Sequence, residues 1–145
     1  MDKKTILLVE DNKDDADLIL ISLRKSNIGN DVAVVRDGQE ALDFLFATGP
    51  HAGRGDQALP TVVLLDLKLP KIDGLDVLRA IRADPRTQIL PVVILTSSDE
   101  ERDRIDSYHL GANSYVRKPV EFGQFAEEVK KLGLYWLVVN RPARD

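Results

Sequence analysis

The stretch Ile6-Leu7-Leu8-Val9-Glu10-Asp11 sets four apolar residues ahead of two acids, and Val62-Val63-Leu64-Leu65-Asp66 repeats the arrangement with one. Apolar runs of this kind suit strands covered on both faces, as in a parallel sheet. A carboxylate at the end of such a strand stands where open α/β sheets bind ligands. Three carboxylates gathered on one rim repel one another. At about 4 Å and an effective dielectric of about 20, each like-charge pair costs roughly 4 kcal/mol. The cluster therefore needs a cation, a proton or a spread geometry. Oxygen donors make Glu10, Asp11 and Asp66 candidates for a hard cation such as Mg²⁺.

Outward from these runs, strands and helices alternate. Strands are expected at Thr5–Val9, Asp31–Val35, Thr61–Leu65, Pro91–Leu95 and Ser114–Arg117. Helical spacing covers Asp14–Lys25, with Ala16, Ile19, Leu20 and Leu23 inward. It also covers Gly38–Phe46, with Ala41, Leu42 and Leu45 inward, and Gly74–Ala83, with Val77, Leu78 and Ile81 inward. Asp14, Asp15 and Asp17 favour the positive end of the first helix. Ser98–Leu110 is expected as a helix capped by Ser98, with Glu101 at its third position. A last helix, Glu121–Leu132, turns Phe122, Phe125, Val129 and Leu132 inward. The order is (βα)₅, which implies an α/β, doubly wound, five-stranded parallel sheet with helices on both faces.

Bulk properties agree with one domain, residues 1–133, followed by an apolar extension, 134–145. The chain has 145 residues, 43% of them apolar and 30% charged, which allows a core and argues against wholesale disorder. A net charge of −4 argues against a general nucleic-acid surface. No cysteine is present, so disulfides and thiolate chemistry are excluded. No run approaches the roughly 20 apolar residues of a membrane span. No signal-peptide pattern opens the chain, and a cytoplasmic location is the expectation.

Four pieces of sequence should meet at the carboxyl rim: Glu10-Asp11, Asp66, Thr96 and Lys118. Each alone has an ordinary explanation: a solvated loop start, a turn aspartate, a strand-end cap, a surface lysine. Asp66 has a chemical one too, since a carboxylate can attack phosphorus and hold an aspartyl phosphate. Lys118 can meet phosphoryl charge, or pair with Asp66 when none is present. The Thr96 hydroxyl can donate to a phosphoryl oxygen.

Together, an acid pair after strand one, Asp after strand three, Thr after strand four and Lys-Pro after strand five resemble the receiver domain of two-component response regulators. The segment Asp66-Leu67-Lys68-Leu69-Pro70-Lys71-Ile72-Asp73-Gly74 resembles the same family's acceptor loop. The resemblance implies a flavodoxin-like sheet of order 2-1-3-4-5. It implies that Asp66 is the phosphoacceptor, and that Asp11, Asp66 and the Lys68 carbonyl hold Mg²⁺ directly, with Glu10 acting through a bound water. It implies that Thr96 and Lys118 bind the phosphoryl group, and that Thr96 and Tyr115 form a switch. The expected donor is a histidine kinase. Tyr108-His109-Leu110-Gly111-Ala112-Asn113-Ser114-Tyr115 and the apolar tail Leu134–Val139 resemble stand-alone regulators paired with phytochrome-type kinases. Signal output would then be protein contact, phosphate relay or phosphate storage.

Three other functions are weighed against this one. A haloacid-dehalogenase-like phosphohydrolase wants a second aspartate two residues after its nucleophile, where this chain has Lys68. A nucleotide or flavin site wants a glycine-rich first loop, where this chain has Glu10-Asp11-Asn12-Lys13-Asp14-Asp15. A degenerate receiver, a binding module without phosphorylation, is opposed by the complete residue set. Two further features stand out. The segment Ala47–Pro60 is long for a connection. The tail is too apolar to be solvated, so a homodimer through the Ser98–Leu110 helix, the fifth strand, the last helix and the tail is expected.

Overall fold

The computed structural model describes residues 5–25, 31–54, 59–97 and 100–118. The expected last helix Glu121–Leu132, the tail Leu134–Val139, the proposed boundary at 133/134 and the cap Ser98 lie outside the described residues. Five parallel strands form one sheet of order β2-β1-β3-β4-β5, as the resemblance implied. They are β1 (Thr5–Val9), β2 (Asp31–Val35), β3 (Val62–Leu65), β4 (Val92–Thr96) and β5 (Ser114–Arg117). The helices are α1 (Lys13–Lys25), α2 (Gly38–Phe46), α3 (Gly74–Ala83) and α4 (Glu101–His109).

Alternation along the buried strands divides the core in two. Ile6, Leu8, Leu64 and Leu95 face α1, which supplies Ala16, Ile19 and Leu23. Leu7, Val9, Leu65 and Ile94 face α2 and α3, which supply Ala41, Phe44, Leu45, Val77, Leu78 and Ile81. Burying a side chain of this size contributes roughly 1.5–3 kcal/mol, so the central strands fix the register firmly. Leu20 and Leu42, expected inward, are only partly buried, while Phe44 is buried.

Where the boundaries differ from expectation, the backbone gives the reason. β4 begins at Val92 instead of Pro91, because proline has no N–H for the ladder; its carbonyl still accepts from Val63 N at 2.9 Å. β3 begins at Val62, although Thr61 N already reaches Thr5 O at 2.7 Å. α1 begins at Lys13, because the Asn12 side chain accepts the Asp15 N–H at 2.9 Å. α4 begins at Glu101, with Glu100 instead of Ser98 in the cap position and no side-chain cap bond there. Acids at Glu101 and Asp103 meet the positive end of that helix instead. The Ala47–Pro60 segment is not a plain loop: Gly49–Arg54 forms a 3-10 helix. His51 packs from it edge-on against Phe44, with ring centroids 5.3 Å apart.

Arg82, near the end of α3, anchors the turn that feeds β5. Its guanidinium donates to Gly111 O at 2.7 Å, Leu90 O at 2.6 Å and Asn113 Oδ1 at 3.0 Å. Gly111 has φ +98, and a Cβ there would stand 2.8 Å from Arg82 Nε. Glycine is thus required both by conformation and by space. No helix among the described residues is long and apolar enough to cross a membrane.

Candidate functional site

Ladder bonds carry the candidate residues to one rim. Glu10 N donates to Val35 O at 3.0 Å, Asp66 N to Val9 O at 3.1 Å and Lys118 N to Thr96 O at 2.9 Å. Single carboxylate oxygens of Glu10, Asp11 and Asp66 lie within 4.8 Å of one another. Glu10 and Asp66 are buried and Asp11 is exposed. The all-oxygen donor set and its open side fit a hard divalent cation.

The charge problem posed by the sequence has an internal answer. Lys118 Nζ lies 2.5 Å from Glu10 Oε1, 2.9 Å from Asp15 Oδ2 and 3.2 Å from Asp66 Oδ2. The side chain of Lys118 is 9% exposed. Burial pulls the ammonium towards neutrality, but Glu10, Asp15 and Asp66 outweigh this and hold its pKa above the usual lysine value. Glu10 behaves differently. Burial, reinforced by Asp66, raises its carboxyl to about 7 despite Lys118 and the Asn12 N–H. The close Lys118 contact to Glu10 Oε1 is an ion pair without aligned hydrogen-bond geometry. The Oε2 atom accepts from Asn12 N at 3.2 Å.

Asp15 is the site residue that sequence reasoning missed. From the sequence alone it offers only a favourable charge at the helix N-terminus. Its signal was positional: it falls one helical turn beyond Asp11, at the end of α1 that starts on the rim.

The loop that follows Asp66 is held by two close backbone approaches. A Cβ on Gly74 would stand 2.3 Å from Asp66 O, and one on Gly38 would stand 1.9 Å from Ile72 O. Gly74 N donates to Leu67 O at 2.9 Å, and Asp73 caps α3 by accepting from Leu75 N and Asp76 N. Lys68 N lies 3.4 Å from Asp66 Oδ1. The Lys68 ammonium instead faces Asp103 on α4 at 3.9 Å, across a cleft of about 420 Å³ that also touches Asp11 and Pro70.

Thr96 is fully buried at the end of β4, and its register partner is Arg117. Tyr115 pairs with Ile94 and is half-buried against the α2–α3 side of the core.

The response regulator receiver domain model matches residues 6–130, and the chain belongs to this family. Among solved structures, the bacteriophytochrome response regulator RtBRR is 50% identical with a TM-score of 0.86, over 99% of this chain and 85% of that one. The curated response regulator Rcp1 of Synechocystis sp. (strain ATCC 27184 / PCC 6803 / Kazusa) is 39% identical, over 97% of this chain and 94% of its own length. Its Mn(2+)-bound crystal structure aligns with a TM-score of 0.76, over 97% of this chain and 99% of that one. The probable methanogenesis regulatory protein FilR2 of Methanothrix harundinacea (strain 6Ac) is 41% identical, over 94% of this chain and 85% of its own length.

Proposed function

We propose that the chain is a phosphoacceptor signalling protein, not an enzyme acting on a separate substrate. It takes a phosphoryl group from a histidine kinase onto Asp66. The observation that carries this reading is the buried Lys118 ammonium 3.2 Å from Asp66 Oδ2, beside two further carboxylates. An Asp66 oxygen attacks the phosphorus of a phosphohistidine. The O–P bond forms as the P–N bond breaks, and the imidazole leaves with the electron pair and takes a proton from water. Lys118 neutralises charge on the transferred group. Asp11, Asp66, the Lys68 carbonyl and Glu10 would hold Mg²⁺, which would supply further charge neutralisation. Thr96 and Lys118 bind the phosphoryl oxygens. The Thr96 hydroxyl moves inward and Tyr115 follows, so a local charge change alters a partner surface.

The bacteriophytochrome and Rcp1 relatives support a phytochrome-type kinase as donor. A cytoplasmic location follows from that partnership. Self-association through α4, β5, the last helix and the tail is part of the same reading. Light scattering on the full chain and on a truncation ending at Leu132 tests it, with a monomer at tens of micromolar counting against it. The acceptor is tested with phosphoramidate and Mg²⁺. Borohydride trapping and mass spectrometry should place one phosphoryl group on Asp66, and an equal yield from Asp66→Asn would sink the assignment.

A further inference from the structure

The Lys118 ammonium donates to Asp15 Oδ2 and Asp66 Oδ2 and is ion-paired with Glu10. A phosphoryl group on Asp66 brings new anionic oxygens that compete with these carboxylates for the ammonium. Asp66 itself carries the incoming group. Glu10 is 1% exposed and cannot turn to water. The Asp15 side chain is 38% exposed, and rotation about its χ1 takes the carboxylate into solvent at small cost. Its helix remains anchored without it, because the Asn12 side chain caps the Asp15 N–H and Asn12 O accepts the Ala16 N–H.

We propose that Asp15 is a positioning residue for Lys118: it holds the ammonium while Asp66 is free and releases it when Asp66 carries a phosphoryl group. Asp15 thereby biases the chain against the phosphorylated state. The inference rests on the phosphoacceptor reading above, and it concerns a residue on α1 that this reading does not use.

The test is the affinity for beryllofluoride, a phosphoryl mimic, at saturating Mg²⁺, measured by calorimetry on the full chain. Asp15→Asn removes the charge that competes for Lys118 and should bind about tenfold tighter than wild type, the scale of one charge-assisted hydrogen bond. Asp14→Asn removes an equal charge from the same helical turn, at an exposed position. It should stay within about twofold of wild type, since exposed charges are screened by solvent and salt. A damaged fold weakens binding, so a gain specific to Asp15 separates positioning from a structural role. Unchanged or weaker binding by Asp15→Asn, or an equal gain in Asp14→Asn, overturns the proposal. A wild type that takes up no beryllofluoride overturns the phosphoacceptor reading, and the Asp15 proposal with it.

Discussion

Lys118 Nζ stands 3.2 Å from Asp66 Oδ2, although 52 residues and an intervening strand separate the two. The contact exists because β3 and β5 both flank β4 in parallel and end on the same rim. It turns a set of repelling carboxylates into a compensated cluster in which the cation is part of the chain. The same ammonium meets Glu10, so its removal leaves a buried acid with no counter-charge.

Lys118→Ala should therefore destabilise the metal-free protein by about 3 kcal/mol at pH 8, where Glu10 is mostly ionised. The loss should shrink near pH 5, because the raised Glu10 pKa lets that group take up a proton instead. Saturating Mg²⁺ should restore part of the lost stability. Urea denaturation at both pH values, with EDTA and with Mg²⁺, checks the set. A variant as stable as wild type at pH 8 would show that the ion pair contributes nothing net.

Glu10 gives a pH dependence of definite sign. Its folded pKa, about 7, lies above the ordinary carboxyl value of 4.5, so the native state binds the proton more tightly than the unfolded chain. Its contribution to stability is complete below about 4.5 and is lost as pH rises to about 7. Lys118 is shifted upward from 10.5 and adds no slope in that window. Asp84, lowered from 3.8, acts below it. In EDTA, wild type should lose stability relative to Glu10→Gln between pH 4.5 and 7. In Mg²⁺ the trend should reverse, since the site needs the carboxylate. A flat difference in EDTA would remove the case for a perturbed Glu10.

Much of this arrangement is legible in the sequence. Apolar runs ending in acids give the strands and their rim, and helical spacing gives α1, α2 and α3. The failures are local or long-range. The start of α1 depended on the Asn12 side chain, and the start of α4 lay in an acid-rich stretch without an apolar period to mark it. α4 buries only Ser107, so no inward stripe located its ends. The Asp15–Lys118 pair joins residues 103 apart, which no spacing rule reaches. The sheet order came from resemblance, since alternation of strands and helices alone does not choose it.

Gly74→Ala tests whether the loop after Asp66 is sterically set. The added Cβ would meet the Asp66 carbonyl at 2.3 Å and Leu67 Cα at 2.6 Å, both backbone atoms that cannot step aside like a side-chain tip. A destabilisation of about 1–3 kcal/mol is expected, together with reduced phosphorylation of Asp66. Urea melts and phosphoramidate labelling measure the two effects. Normal labelling in a destabilised variant would mean that the loop can shift without disturbing Asp66.

Thr96→Ala tests the route from the site to the surface. Thr96 is fully buried between the ends of β3 and β5, and Tyr115 is half-buried one strand over. Arg82 clamps the turn at Gly111 that leads into β5. The variant should still accept beryllofluoride, because Lys118 and the carboxylates remain. Wild type is expected to change its amide exchange across residues 108–116, and the variant to lose most of that change. Stability should fall by only about 1 kcal/mol, the usual cost of losing one hydroxyl's hydrogen bond. Hydrogen exchange with mass spectrometry, with and without beryllofluoride, reads the response directly. An undiminished change at residues 108–116 in Thr96→Ala would mean that the signal leaves Asp66 without passing through β4.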